Sequence, residues 1–554
     1  MSGFVQNIKN LIYRHHCILF IISATVFTAI MSVNYSISLK YDGYIAQDYN
    51  VRPLYALIAV LIMFPVYIFL VRKTDFVSKT LEGVSCKKTA VVLFFVFFII
   101  VQMIKDTFKN YEHIKVSSFG KILEIKFVDE HLILFVTVGC VCCAFAIFVL
   151  YSYLFNVIFD FICDFKLKIT STEKNYVFAT LTFCITMIFY FYQRAWGQWG
   201  ALDLVYQNDS IFLYEHYYPV FSYGYDFDWD IGNGGIRHPM ATLFTYPIYI
   251  IVSLLSNILF FVPNIVPILY AIINSLLLII TVVMLVRITN NDWLYLIFTC
   301  SYPFLFYSVF IEKYQLAVFF IVAYLYYVLM PKKKEQQKIT LVAASGVMIT
   351  SAFCGFAYGS NETVKKRILD YLSLFACFIF SLIGTGRISY ILEFKYLKDQ
   401  NYLMFFGAGD STFYNKICSY SNMLVSCFCP IPYEATDKNF FWIGHSTVFN
   451  YWSIPIILFI VVGFIKNYKK SYVKVLMLWI LWSFLQGVLG SGSPLFNLYF
   501  AWAIIPMTLI GIDTLVKKKE LRDMAYCIIV AMMLYKNIIH MKDLFDYLVL
   551  KTPL

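Results

Sequence analysis

Charged side chains are scarce in this sequence. Only 14% of its 554 residues are charged, whereas 60% are hydrophobic, and the mean hydropathy is +0.71. Soluble proteins carry roughly 25% charged residues, and a soluble chain of this length would divide into several domains that each need a polar surface. The shortage of charge therefore excludes a soluble multidomain protein.

Sequence signatures of the common nucleotide and catalytic sites are also missing. The chain contains no P-loop, no Rossmann glycine pattern and no GxSxG turn. Its 14 cysteines are mostly spread through apolar runs, without the spacing of zinc ligands. We interpret them as small packing residues, with Cys418 and either Cys427 or Cys429 as the one candidate for a loop disulfide.

Long apolar runs are what the sequence does contain. Runs of about 18 residues or more can cross a hydrocarbon core of about 30 Å, and such runs recur along the whole chain. Only helices and closed barrels satisfy the backbone in lipid, and these runs are continuous rather than alternating. We therefore predict an all-α, polytopic transmembrane bundle of about 12 to 14 spans.

The net charge of +11 predicts how the bundle is oriented. The excess of basic residues sits in short clusters between apolar runs, as the positive-inside rule expects for cytoplasmic connections. No nucleic-acid-binding pattern accompanies it. The predicted cytoplasmic connections are 72–88, 166–174, 332–338, 466–474 and 517–522. The first five predicted spans are 17–36, 54–71, 89–104, 132–158 and 175–193, which leave 194–238 outside.

Two apolar segments conflict with this orientation. If 240–262 and 264–286 both crossed, Arg287 would lie outside together with the later lysine cluster. The segment 240–262 contains Pro247 and follows a polar loop, so we predict that it lies along the outer leaflet or dips into it. The segment 339–359 raises the same problem, and we predict a short helical hairpin or a re-entrant pair there.

The remaining runs complete the predicted bundle. Glu312 and Lys313 are then expected at the outer surface, and 387–449 forms a second large outer loop. A short turn before Asn497 and Tyr499 is predicted to line the same outer cavity. The predicted spans are 293–310, 314–331, 368–386, 450–465, 472–489, 496–515 and 523–540.

Two regions on the outer side carry candidate chemistry. The loop 194–238 combines several carboxylates with many aromatic residues; an interfacial aromatic belt explains the rings but not so many acids beside lipid. Glu312 and Lys313 stand between two apolar runs, where ionisable groups are costly and often functional. The alternative for this pair is a local ion pair that caps a tight turn.

The arrangement resembles the GT-C superfamily of membrane glycosyltransferases, which use polyprenyl-phosphate sugars and include the protein mannosyltransferases and the lipid A aminoarabinose transferase. As in that family, an acidic residue, Asp209, follows a span and opens the first outer loop. Arg237 and His238 then precede a proline and an apolar aromatic run, and Glu312 opens a later apolar helix. The likeness covers roughly 175–515 and departs from the family in lacking a paired Asp-Glu at Asp209.

The resemblance implies a domain organisation. A GT-C-like core would occupy 171–515, with outer loops 194–262 and 387–449 and an interfacial helix in the first of them. An N-terminal extension of about four spans would occupy 1–170, and a C-terminal span and tail would occupy 516–554.

The resemblance also implies a reaction. A sugar would move, with inversion, from a polyprenyl-phosphate or polyprenyl-diphosphate donor to a glycan, lipid or protein acceptor of the cell envelope. Asp209 would act as general base and Glu312 as a second catalytic carboxylate. Substrate would be bound by Arg237, His238, Lys313, Arg387, Glu215 and His445, of which the cations would stabilise the departing phosphate.

No cofactor is predicted with certainty. Some relatives use a divalent metal at the acidic residues and others do not, so a metal remains an open alternative and we assign no metal ligands. The expected location is the bacterial plasma membrane, with the site on the extracytoplasmic face. Rival interpretations are a transporter or flippase of lipid-linked saccharides, an O-antigen-type polymerase or ligase, and a structural membrane protein.

Overall fold

The structure is a computed structural model, and it describes mainly the second half of the chain. The predicted spans before residue 169 lie outside the described residues. Those described are 169–194, His238, 240–329, 334–357, isolated positions between 368 and 378, 412–430, 433–435, 440–442, 448–489 and 497–550.

The described residues are mostly helical. The first seven helices are α1 (Ser171–Arg194), α2 (Ala241–Ile258), α3 (Ile265–Thr289), α4 (Trp293–Thr299), α5 (Tyr302–Val309), α6 (Tyr314–Val328) and α7 (Lys334–Val347). A 3-10 helix follows at Ile349–Ala357. The later elements are α8 (Phe413–Ser426), the strands β1 (Tyr433–Ala435) and β2 (Phe440–Trp442), α9 (Ser453–Asn467), α10 (Ser471–Leu489), α11 (Asn497–Leu515) and α12 (Lys519–Leu550).

Four of these helices are long and apolar enough to cross a membrane, by length and composition, which is consistent with the predicted polytopic helical membrane protein. They are Ser171–Tyr192, Ile265–Thr289, Asn497–Leu515 and Lys519–Asp546. Four shorter apolar helices accompany them, at Pro247–Ile258, Tyr314–Val328, Ser453–Asn467 and Ser471–Gln486. The predicted spans 175–193, 264–286, 450–465, 472–489 and 496–515 each coincide with one helix.

The chain forms two compact units. One comprises Ile169–Asp226, Ile248–Thr363 and Lys395–Leu554, and it contains nearly all of the described helices. The other comprises Met1–Lys168, Phe227–Pro247 and Val364–Phe394; its described part is small and includes His238 and the first residues of α2. The first unit thus holds α1, most of α2 and all of α3 to α12.

Its core is built on α3, α6 and α11, whose side chains are mostly buried all round. Helices α1 and α12 bury only about a quarter of their apolar windows (28% each), as expected for spans that face lipid. Helices α9 and α11 approach closely, because Gly463 and Gly511 face each other's backbones. A Cβ atom at Gly511 would overlap the carbonyl oxygen of Phe459.

Asparagine residues end helix α3 on both sides. Asn264 and Asn290 both adopt left-handed backbone conformations, with φ of 60° and 55°, which asparagine tolerates better than most residues. The Asn264 side chain also donates to the carbonyl oxygen of Tyr192, at 2.7 Å, so the first turn of α3 is tied to the last turns of α1.

The other ends of α1 and α3 are joined by an ion pair. Thr170 and Glu173 form a capping box that starts α1, with each residue's backbone N–H donating to the other's side chain. The Glu173 carboxylate also accepts two hydrogen bonds from Arg287, at 2.6 and 2.9 Å. Helices α1 and α3 are therefore antiparallel neighbours.

Four of the predicted basic connections meet at this end of the unit. Tyr326, near the end of α6 and the 332–338 cluster, hydrogen-bonds the guanidinium of Arg287. Further along, Asn291 donates to Asp513 at 2.8 Å, just before the 517–522 cluster. These contacts confirm that the clusters share one end, which we call the basic end.

The connection 466–474 joins the basic end through helix α9. Asn467 donates to the hydroxyl of Thr514 at 3.2 Å, one residue from the Asp513 carboxylate that also pairs with Arg522 at 3.3 Å. The predicted grouping of Arg287 with the lysine clusters is therefore confirmed as a grouping in space.

The predicted span 293–310 is not one continuous helix. It consists of α4 and α5, separated by a break at Cys300 and Ser301, where the Ser301 hydroxyl starts α5 as its N-cap. The backbone at the break is satisfied by other parts of the chain, since Asn537 of α12 donates to the carbonyl oxygens of Cys300 and Phe428. Irregular backbone among membrane helices is tolerated where protein groups satisfy it in this way.

Two further segments were predicted not to be simple spans, 339–359 and the loop 387–449. The segment 339–359 was expected not to cross as one helix, and it is divided into the end of α7 and the 3-10 helix. The segment predicted as the second outer loop contains α8, whose Tyr420 hydroxyl lies 3.2 Å from that of Ser483 in α10. It also contains the antiparallel pair β1–β2, with Tyr433 opposite Trp442, so the all-α prediction holds except for this small hairpin.

The predicted loop disulfide is not formed. Cys418, Cys427 and Cys429 are all free thiols. Cys418 lies in the second turn of α8 and Cys427 directly after its last residue, so the two are about 13 Å apart along the helix axis, whereas a disulfide needs Cα atoms within about 7 Å. Burial raises the pKa of Cys429 to about 11, which keeps this thiol protonated at neutral pH.

Candidate functional site

The candidate site is the break between α5 and α6, at residues 310–313. Helix α5 ends after eight residues, and α6 starts after Lys313. The last carbonyl groups of a helix have no partner within it, and in an apolar bundle water does not supply one. The partners of the carbonyl groups at this break therefore decide how firmly Glu312 and Lys313 are held.

Gln315, in the first turn of α6, satisfies two of these carbonyl groups. Its side-chain amide donates to the carbonyl oxygens of Tyr307 and Phe310, at 3.0 and 2.9 Å. The side chain is fully buried. A single glutamine therefore clamps the end of one helix to the beginning of the next.

The carbonyl groups between Tyr307 and Phe310 accept hydrogen bonds from side chains of two other helices. The Tyr192 hydroxyl of α1 donates to Val309 at 2.9 Å, and the Ser275 hydroxyl of α3 donates to Ser308 at 2.7 Å. Side chains from α1, α3 and α6 thus hold four successive carbonyl groups. The break is a rigid, defined feature of the bundle rather than a loose connection, which is the property that a functional site requires.

Glu312 and Lys313 occupy the middle of this break. The backbone N–H of Lys313 donates to the Glu312 carboxylate at 3.2 Å. The expectation that both residues lie at the outer surface was wrong, because their exposed fractions are only 2% and 6%. An adjacent acid and base buried in a membrane protein are costly to maintain unless they are paired or functional.

The depth of the pair follows from the length of α6. Its 15 residues span about 22 Å, which is less than the hydrocarbon core of about 30 Å. The far end of α6 carries Tyr326 beside Arg287 at the basic end. Glu312 and Lys313 therefore lie about 20 Å from the basic end, inside the length that α3 spans.

A cluster of aromatic and hydroxyl side chains adjoins the break. The ring of Tyr314, next to Lys313, lies 6.1 Å from that of Tyr499 in the first turn of α11. The Tyr499 hydroxyl is within 2.9 and 2.8 Å of the hydroxyls of Thr350 and Ser351 in the 3-10 helix. The site thus combines two adjacent buried ionisable residues, Glu312 and Lys313, with a wall of hydrogen-bonding groups.

The structure bears on only some of the sequence-predicted site residues. Glu312 and Lys313 are adjacent, as their sequence dictates, and Tyr499 is brought close to them. His238 belongs to the other unit; it is buried, and its carbonyl oxygen accepts the backbone N–H of Ala241 at the start of α2. The predicted residues outside the described part of the chain are Asp209, Glu215, Arg237, Arg387 and His445.

Gln315 and Tyr192 are functional candidates that the sequence did not indicate. A signal for Gln315 was present, since it is an uncharged polar residue inside an apolar run and three positions after Glu312. Nothing in the sequence distinguishes Tyr192 from its many aromatic neighbours. Within the described ranges, no group of three or more His, Cys, Asp or Glu side chains could hold a metal ion.

Comparisons of this chain with protein families, with characterised proteins and with solved structures found no match.

Proposed function

We propose that this chain is a membrane glycosyltransferase of the GT-C type. It moves a sugar from a polyprenyl-phosphate or polyprenyl-diphosphate donor to an acceptor of the cell envelope, on the outer face of a bacterial plasma membrane. The observation that carries the proposal is the buried Glu312–Lys313 pair, fixed in a helix break that side chains of α1, α3 and α6 hold. The pair lies away from the basic end, which the positive-inside rule assigns to the cytoplasm.

The chemistry suits this setting. An acceptor hydroxyl attacks the anomeric carbon of the donor, the bond from that carbon to the phosphate oxygen breaks, and the phosphate stays on the lipid. In the proposed reaction Asp209 accepts the hydroxyl proton, and Glu312 orients the acceptor. Lys313, together with Arg237, His238 and Arg387, neutralises the phosphate charge that develops.

The position of α2 supports the proposal. Because α1 and α3 are antiparallel and joined at both ends, the chain between them must cross the membrane an even number of times. The segment 195–240 has no uncharged run long enough to cross. Helix α2 therefore does not cross, and we propose that it is the interfacial helix of a GT-C core.

The surface of α2 fits an interfacial location. In the part of α2 that belongs to the same unit as α3, Leu254 and Ile258 are exposed, as is Phe260 in the turn that follows. On the opposite side Ser253 and Ser256 are buried. An exposed apolar edge at the end of the helix suits contact with acyl chains at the membrane surface.

Carboxylate substitutions test the proposed function. The purified protein would be assayed for transfer from a panel of polyprenyl-phosphate sugars, with Asp209→Asn and Glu312→Gln as test variants. We expect losses of about 100-fold or more, the range typical of a positioned general acid or base. The control is Glu520→Gln, because Glu520 is an exposed carboxylate at the basic end. Full turnover by Asp209→Asn would remove Asp209 as the base, and no transfer by the wild-type protein from any donor would reject the proposal.

A second candidate is a transporter of lipid-linked saccharides. The specific observation that favours it is the presence of two helix breaks, at Cys300–Ser301 and at 310–313, the second of which carries buried charges. Transporters form their sites from discontinuous helices of this kind. Movement of a fluorescent lipid-linked sugar across proteoliposomes without any transfer to an acceptor would favour this candidate.

A further inference from the structure

The hydroxyl and aromatic wall beside the helix break extends along α10. The indole N–H of Trp479 donates to the carbonyl oxygen of Tyr499 at 2.7 Å, and the two rings lie 4.7 Å apart. Tyr499 in turn contacts Thr350 and Ser351 of the 3-10 helix. Helix α10 and the 3-10 helix are therefore fixed against each other next to the candidate site.

One and two turns further along α10, two polar groups have no partner among the residues that the structure describes. They are the indole N–H of Trp482 and the side-chain carbonyl oxygen of Gln486, and both atoms are buried. The whole Gln486 side chain is more than nine-tenths buried. Trp479, on the same helix, shows the contrast, because its indole N–H is satisfied. Buried polar groups are nearly always hydrogen-bonded in folded proteins, and each exception needs an explanation.

Trp482 and Gln486 start from the same face of α10, and Trp482 has an aromatic neighbour. Residues four apart lie on one face of a helix, with Cβ atoms about 5–6 Å apart. The ring of Trp482 lies 5.0 Å from that of Phe353, at 33° to it. The two rings thus adjoin the face of α10 that carries the indole N–H of Trp482 and the amide oxygen of Gln486.

We infer that Trp482, Gln486 and Phe353 form a binding subsite for a sugar ring of the substrate. A pyranose or furanose ring offers an apolar C–H face, which packs on aromatic rings, and hydroxyl groups, which both donate and accept. Such a ring would accept from the Trp482 indole and donate to the Gln486 oxygen, so that both unsatisfied groups gain partners on binding. The inference rests on the proposed function, because it assigns part of that substrate to these residues.

The sugar could be that of the lipid-linked donor or that of a glycan acceptor. Both present the same ring chemistry, so the two sources must be distinguished by measurement. Binding of a donor in the absence of acceptor involves only the donor sugar. An effect confined to the KM for the acceptor would instead assign the subsite to the acceptor.

The test uses variants that remove one polar atom each. Trp482→Phe keeps an aromatic ring without the N–H, and Gln486→Leu keeps the bulk without the amide. Because these atoms have no partner among the described residues, neither change breaks a hydrogen bond there, and we expect Gln486→Leu to unfold at the wild-type temperature or above it. Trp482→Phe loses only the packing of the smaller ring on Phe353. In each variant, either the affinity for polyprenyl-phosphate hexoses and pentoses should fall about tenfold or the KM for the acceptor should rise about tenfold. Affinity for sugar-free polyprenyl phosphate should be unchanged.

Trp293→Phe is the matched control. It removes an indole N–H that already has a partner, the Asp523 carboxylate at the basic end, so it should lower the unfolding temperature without changing sugar affinity. If the wild-type protein binds lipid-linked sugar and transfers it, but Trp482→Phe and Gln486→Leu match it in affinity and in both KM values, the subsite is wrong and the proposed function stands. If the wild-type protein neither binds nor transfers any lipid-linked sugar, the proposed function fails and the subsite fails with it.

Discussion

At the residue scale, the amide of Gln315 satisfies backbone groups that no helix could satisfy. It holds the carbonyl oxygens of Tyr307 and Phe310, on either side of the point where α5 ends. Glu312 and Lys313 follow directly. The geometry of the charged pair therefore depends on a neutral side chain that takes no part in the proposed chemistry.

Substitution of Gln315 tests this dependence. Gln315→Leu keeps most of the volume but leaves both carbonyl groups without a donor, so we expect a loss of about 1–3 kcal/mol in stability. We also expect lower transfer activity in the protein that remains folded, because the pair is no longer held. Thermal unfolding in detergent and turnover per folded molecule measure the two effects. The control is Tyr535→Phe, at an exposed tyrosine of α12, which should change neither. Wild-type stability and activity in Gln315→Leu would contradict the role of the clamp.

The same scale marks the limit of sequence reasoning. Glu312 and Lys313 could be found because charges inside apolar runs are rare, and such charges can be recognised in the sequence without knowledge of their contacts. Their burial could not be predicted, because it depends on where α5 stops. Gln315 and Tyr192 act through hydrogen bonds to particular carbonyl groups, and partners that lie more than 100 residues apart, such as Tyr192 and Val309, leave no pattern in one sequence.

At the scale of elements, long apolar helices were predictable and breaks were not. The runs that became α1, α3, α9, α10 and α11 were identified from hydropathy alone. The run 293–310 has the same hydropathy, yet it is divided at Ser301 because the backbone there is satisfied by Asn537 and by the chain after α8. Hydropathy measures the solvent that a segment prefers and carries no information on such partners.

The close packing of α9 on α11 gives a prediction at this scale. In an isolated helix Gly→Ala stabilises by about 1 kcal/mol, so the sign of the effect is decided by space. A Cβ at Gly463 would meet backbone atoms of Gly511 and Met507 at 3.0 Å, whereas one at Gly511 would overlap the Phe459 carbonyl oxygen. We expect Gly511→Ala to destabilise by about 1–3 kcal/mol or more and Gly463→Ala to cost less.

Thermal unfolding of the two glycine variants in detergent measures this order. Val461→Ala is a suitable control, since Val461 is exposed on α9 and should change the unfolding temperature little. Equal stability of Gly511→Ala and the wild-type protein would show that the two helices are not in contact at this point.

At the scale of the whole molecule, the charges predicted the arrangement that contacts then confirmed. Arg287 was grouped with the lysine clusters because any other grouping placed basic residues on both sides of the membrane. In the structure Arg287 lies beside Glu173, next to the 166–174 cluster, and Asn291 contacts Asp513 near the 517–522 cluster. A count of charges suffices here because membrane insertion itself sorts basic residues to one side.

The pair formed by Glu173 and Arg287 provides the last prediction, because it fixes the antiparallel arrangement of α1 and α3. Loss of one partner of a buried ion pair costs about 3–5 kcal/mol; the cost should lie at the lower end here, since Arg287 keeps 15% of its side chain exposed. We expect Arg287→Glu and Glu173→Arg each to lower the yield and the unfolding temperature of the detergent-solubilised protein. The double variant exchanges the charges and should recover the part of the loss that comes from the ion pair, which neither single change can do; the capping box of Glu173 with Thr170 stays lost. Lys519→Glu, at an exposed lysine of the basic end, controls for the change in net charge and should have little effect. If the double variant is as unstable as the sum of the single variants, the two side chains do not meet, and α1 and α3 cannot be paired as described.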